Sequence, residues 1–190
     1  MRHLALLLPL LLLAGCTTPL LGPGCTRFGR DGQLCLLPPA ALPPVEGSHM
    51  VKVTHDGGED AFLGLLHIDS RKLELAGFSL FGTSLFDLTY DGTKVTSVPA
   101  DSKLKPEMLV AMLELSIADP KLLQERLHGL ALRTSTDGTQ EKRDLYEGNR
   151  LVAHLERSLK PLDQSTLSIE IPHSGVKVEI TPLAGGKSVP

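Results

Sequence analysis

The 190-residue sequence has no tryptophan, two tyrosines, five phenylalanines and no excess of positive charge, with 19 Lys+Arg against 22 Asp+Glu. Nucleic-acid binders present a basic face to phosphates, and this mildly acidic chain offers none, so no nucleic-acid partner is expected. His49, His55, His67, His128, His154 and His173 include no His-Glu-x-x-His pair, the spacing by which one helix offers two ligands to zinc. They read as solvated or hydrogen-bonded side chains, and no shared metal site is expected. A glycine-rich phosphate loop is missing too, because Gly22-Pro23-Gly24 is not framed by a strand and a helix. Gly77-Phe78-Ser79-Leu80-Phe81-Gly82 has one residue too many for the Gly-x-Ser-x-Gly elbow of a serine hydrolase, and no parallel strand-to-helix unit surrounds it. These absences point away from an enzyme and from any cofactor. Internal repeats are absent, and only one long apolar run occurs, Leu4 to Leu13.

That run is well short of the roughly 20 residues a spanning helix needs. It follows the positive charge of Arg2 and ends in Leu13-Ala14-Gly15-Cys16. The segment resembles a bacterial lipoprotein signal, which implies that residues 1–15 are removed and that Cys16 becomes the lipidated first residue. Several acyl chains, at about 0.8 kcal/mol per buried CH₂, give stable membrane anchoring without a polybasic patch. Thr17, where Asp retains lipoproteins in the inner membrane, favours the periplasmic face of the outer membrane.

With Cys16 assigned to lipid, Cys25 and Cys35 remain as an even pair in an oxidising compartment and read as a disulfide. Closing a loop of that size contributes roughly 2–3 kcal/mol. A metal site is the weaker alternative, since no Cys-x-x-Cys or nearby histidine pair accompanies them. The stretch 16–45 is rich in Gly, Pro and Leu, with Pro38-Pro39 and Pro43-Pro44. Proline pairs favour extended backbone and interrupt helices and ladders, so the stretch reads as a lipidated tether pinned by the disulfide.

Residues 46–184 read as one mainly β (α+β) domain, with 185–190 as a flexible C-terminus. Short alternating runs are punctuated by turn dipeptides: Asp56-Gly57-Gly58, Asp91-Gly92, Asp137-Gly138 and Gly148-Asn149. The clearest period of two is Leu167, Ile169, Ile171, then a turn at Pro172–Gly175, then Val176, Val178, Ile180. One region breaks the pattern. Pro106 can open a helix carrying Met108, Leu109, Met112, Leu113 and Ile117 at helical spacing, and Asp119-Pro120 caps and starts a second one ending before Gly129. The first helix is apolar nearly all round, so it needs contacts on more than one side, as it would have across the mouth of a curved sheet.

Two local stretches carry a family resemblance: Leu73-Glu74-Leu75-Ala76-Gly77-Phe78-Ser79-Leu80-Phe81-Gly82 before Leu85-Phe86-Asp87-Leu88, and Leu122-Leu123-Gln124-Glu125-Arg126-Leu127-His128-Gly129-Leu130. With the order of signal, tether, strands, apolar helical pair and strands, they resemble the LolA/LolB lipoprotein-carrier superfamily over about Met50 to Pro182. LolB-type chains carry a tryptophan near the end of the helical region and this chain has none. It is therefore more similar to small uncharacterised lipoproteins encoded beside aryl-polyene biosynthesis genes. The resemblance implies an incomplete, highly curved antiparallel β-barrel with a short helical cover, whose concave side holds acyl chains. Phe78, Leu80, Phe81, Leu85, Phe86, Leu88, Met108, Met112 and Leu113 are the candidates for that apolar cavity; methionine suits flexible apolar ligands. The function expected is binding or transfer of a lipidic or acylated molecule. The alternative is an anchored envelope scaffold that docks a protein partner without cargo.

Overall fold

The computed structural model describes residues 24–98 and 105–183. The signal, Cys16 and the C-terminus at 185–190 lie outside the described residues. Among the described residues, thirteen strands and two α-helices follow in chain order. β1 (Cys25–Phe28) and β2 (Gly32–Cys35) precede the long hairpin of β3 (Val45–His55) and β4 (Gly58–Ile68). Next come β5 (Leu73–Phe78), β6 (Ser84–Tyr90) and β7 (Val95–Val98), then α1 (Pro106–Ile117) and α2 (Pro120–Arg126). The two-residue β8 (Leu127–His128) leads to β9 (Ala131–Asp137), β10 (Gln140–Glu147), β11 (Arg150–Ser158), β12 (Leu167–Ile171) and β13 (Val176–Pro182).

Ten strands form one antiparallel sheet in the order β7-β6-β5-β4-β3-β13-β12-β11-β10-β9, open at both ends and not closed into a barrel. The chain's two halves meet where β13 pairs with β3, Val178 opposite Val53 and Ile180 opposite Val51. The fold is mainly β with a short helical cover, as the alternating pattern implies. Each expected turn dipeptide joins paired neighbours. Pro106 opens α1, and the Asp119 carboxylate accepts the Lys121 backbone N–H at 2.7 Å as the N-cap of α2.

The expected tether needs correction. From Cys25 the stretch is folded: β1, β2 and β8 form a small second sheet, and Phe28, Leu34, Leu36, Leu37 and Leu42 are buried in the main core. Two physical reasons explain it. The prolines fall where no donor is needed, Pro39 at the start of a 3-10 turn (Pro39–Ala41). The leucines before and between them, Leu34, Leu36, Leu37 and Leu42, remove more apolar surface from water than a solvated linker could leave exposed. Cys25 and Cys35 stand opposite each other at the open end of the hairpin and are joined by the disulfide. At its turn, the Glu147 carboxylate accepts backbone N–H groups from Arg30, Asp31 and Gly32 at 3.0, 2.5 and 2.9 Å. The N–H groups of Asp31 and Arg30 hold the Glu147 carboxyl down at about 2.

Leu34 is fully buried, so Leu34→Ala is expected to cost about 2–5 kcal/mol in urea unfolding. A cost within about 0.5 kcal/mol, as for an exposed position, would return the segment to the role of tether.

Candidate functional site

Alternation along the strands gives the sheet one apolar inward face. β3 contributes Val51 and Val53, β4 contributes Phe62 and Leu66, β12 contributes Ile169 and Ile171, and β13 contributes Val178 and Ile180. α1 lies over this face with Met108, Leu109, Met112, Leu113 and Ile117 turned toward it. Between helix and sheet remains a cavity of about 600 Å³, a size typical of small-ligand sites. Arg27, Phe28 and Gly29 of the N-terminal hairpin complete part of its wall.

Glycine shapes the wall at Gly77. A Cβ there would come within 2.3 Å of the Phe86 ring, which therefore lies directly over the β5 backbone. The same ring meets Phe62 edge-on, with centroids 5.8 Å apart.

Two buried polar contacts hold α1 in place. Nη1 of Arg143, from β10, donates to the carbonyls of Leu115 and Ala118 at 2.9 and 2.7 Å, satisfying the helix's C-terminal end. On α1 itself, Glu114 is fully buried, and its Oε2 accepts the Leu37 backbone N–H at 3.0 Å. Burial pushes the Glu114 carboxyl up to about 8, against the lowering effects of the Leu37 N–H and of Arg126. Burial, followed by the neighbouring Glu114 charge, pushes the Tyr90 phenol up to about 12. His49, also buried on the cavity wall, has its pKa lowered by burial despite the attraction of Asp163.

The expected cavity residues divide. Phe86, Met108, Met112 and Leu113 line the hollow. Phe78, Leu80, Phe81, Leu85 and Leu88 do not. Leu88 is buried in the packed core. Leu85 alternates with Phe86 and is 44 % exposed on the outer side, while Phe78 pairs with Leu63 near the strand end. β5 stops at Phe78 after a bulge, and residues 79–83 form a turn in which the Gly82 N–H donates to Ser79 O. Leu80 and Phe81, 55 % and 97 % exposed, sit on that turn. The sequence pattern did signal β12 and β13 as strands, but nothing in it marked them as cavity wall. Among the polar side chains at the wall, Arg157 gave no sequence signal, and His49 stood out only as one of six scattered histidines. Among the described residues no group of three or more His, Cys, Asp or Glu is placed to hold a metal ion.

Residues 46–184 match the family described as protein of unknown function (DUF3261). The chain belongs to that family. Among curated proteins, none matches it. The matched span begins at Glu46, just after the first residue of β3, so it holds the whole ten-stranded sheet except Val45 and leaves out the N-terminal hairpin that completes the cavity wall.

The Glu114 carboxyl binds its proton more tightly folded than unfolded, so between about 4.5 and about 8 the native state carries more protons. Stability therefore falls as pH rises through that window, by an amount on the order of a few kcal/mol, and levels off above it. Glu114→Gln keeps an acceptor for the Leu37 N–H and removes the titration. The difference between wild type and variant in urea unfolding free energy should change across that window, whatever the histidines do in both. A difference independent of pH would show that Glu114 is not buried in its neutral form.

Proposed function

We propose that this is a non-enzymatic, lipid-anchored protein of the outer membrane's periplasmic face that binds or transfers a lipidic or acylated molecule in the hollow beneath α1. The observation that carries this reading is the 600 Å³ cavity, walled by aliphatic strand residues and by two methionines of the helical cover. An acyl chain placed there exchanges water for those walls at about 0.8 kcal/mol per CH₂. The unbranched methionines adapt to chains of different length or unsaturation. The open sheet with a helical cover supports the likeness to LolA/LolB-type carriers, and the aryl-polyene association suggests a cargo beyond lipoproteins. A polar catalytic constellation has no place in this reading, since the hollow works by burial of the chain and its release.

An anchored scaffold without cargo is the second reading. The exposed turn of Leu80 and Phe81 favours it, because apolar side chains standing in solvent suit a docked envelope partner.

The experiment is native mass spectrometry, with lipid extraction, on the Cys16→Ser protein purified from its host's periplasm. A discrete apolar ligand, displaced by Val178→Phe, is the expected result; the larger ring fills the hollow and should weaken acyl-probe binding about tenfold or more. A protein that is empty and takes up no added lipid would leave the scaffold. Cys16→Ser should also release the protein from membranes in cell fractionation. Retention in the membrane pellet would place the anchor elsewhere.

A further inference from the structure

The inward face of the sheet is apolar on β12 and β13 and charged on part of β10 and β11. The register places Glu141 opposite Arg157 and Arg143 opposite Leu155, so all four side chains share the concave side. Glu141 Oε1 accepts Nε and Nη2 of Arg143 at 3.0 and 2.9 Å, and its Oε2 accepts Nη2 of Arg157. Arg143 is fully employed, since its Nη1 also serves the two carbonyls at the end of α1.

Arg157 is not. Its side chain borders the cavity and is 18 % exposed, yet its Nε is buried and has no hydrogen-bond partner among the described residues. A buried guanidinium N–H without an acceptor costs free energy, which a small turn of the side chain toward an acceptor in the hollow would recover. Charge points the same way. Two guanidinium groups contact one carboxylate, and Asp119 adds an attraction to Arg143. Nearby polar groups add no competing anion at the wall. The Ser165 hydroxyl points to the carbonyls of Ser158, Lys160 and Pro161, and burial of His49 favours its neutral form.

We propose that Arg157 is a head-group site, and that the ligand is an amphiphile with a single carboxylate, held at the Arg157 guanidinium with its chain running under α1. This rests on the lipid-binding reading of the cavity. A monoanion matches the single surplus positive charge of the cluster formed by Arg143, Glu141 and Arg157. A phosphate dianion would bring a second charge that this cluster does not balance. Arg157→Met keeps the apolar stem and leaves Glu141 bonded to Arg143, so the cover keeps its attachment.

The test measures binding of palmitate, hexadecanol and hexadecyl phosphate to the Cys16→Ser protein, delipidated, at neutral pH. Wild type should bind palmitate at least about tenfold more tightly than hexadecanol, and more tightly than hexadecyl phosphate. Arg157→Met should lose that preference through weaker palmitate binding, while binding hexadecanol at least as tightly as wild type, which also shows that the hollow is intact. Equal affinity of wild type for palmitate and hexadecanol, which needs no variant, overturns the head-group site and leaves the cavity reading standing. Tighter binding of hexadecyl phosphate than of palmitate overturns the carboxylate. Failure of all three probes to bind overturns the cavity reading itself, and this site with it.

Discussion

One short helix has to cover the inward face of ten strands. At 1.5 Å per residue, the twelve residues of α1 are about 18 Å long. Ten strands spaced about 4.8 Å apart would spread over more than 40 Å if they lay flat. A flat sheet would leave most of its apolar face in water. The face is instead curled around α1, so that strands from both halves of the chain reach the same helix, and the β3–β13 pair is the seam that lets them do so. The hollow is a geometric consequence, since a cylinder about 10–12 Å across cannot fill the trough of so wide a sheet. The N-terminal hairpin supplies part of the missing wall.

How the cover is held matters as much as what it covers. An apolar helix on an apolar sheet has many near-equivalent seats, because burial is non-directional. Arg143 and Glu114 remove that freedom. The first fixes the C-terminal end of α1 to β10, and the second fixes its middle to the backbone of Leu37. Neither is a strong source of net stability, because both carry a desolvation cost that their partners only offset. Their effect is on position. A cover fixed at two polar points and otherwise resting on aliphatic side chains can lose apolar contacts to a ligand without losing its seat.

Much of this fold was legible in the sequence, and the reasons for success and failure are physical. Asp91-Gly92 and Gly148-Asn149 specify turns through local backbone preference, so their strands could be read without tertiary knowledge. Met108, Met112 and Leu113 fell on one helix at helical spacing, and all three do line the hollow. Leu85 and Phe86 could never both do so, since neighbours in a strand face opposite sides. Leu80 and Phe81 were misplaced because an apolar pair at a strand end looks the same whether the strand continues or turns. The prolines between 38 and 44 misled for the opposite reason. They exclude ladder bonding at their own positions and say nothing about the neighbouring Leu36, Leu37 and Leu42, whose burial decides the segment's fate. Arg157 was invisible, because its significance lies in an unfilled donor, a property of the fold alone.

The folded N-terminal segment also changes what anchoring at Cys16 would mean. A tether over 17–45 could extend to about 100 Å, enough for a domain to leave the membrane surface entirely. With β1 beginning at Cys25, only residues 17–23 separate Cys16 from Gly24, and seven residues reach at most about 25 Å. Arg27 to Gly29, just beyond, are themselves cavity wall. A lipid anchor at Cys16 would thus be joined to the hollow by a stretch shorter than the thickness of a bilayer. If Cys16 carries acyl chains, a protein built this way could not take a ligand across the periplasm by swinging on its N-terminal segment. Its hollow would stay within reach of the membrane that held those chains, so any exchange would be between that membrane and something that came to it.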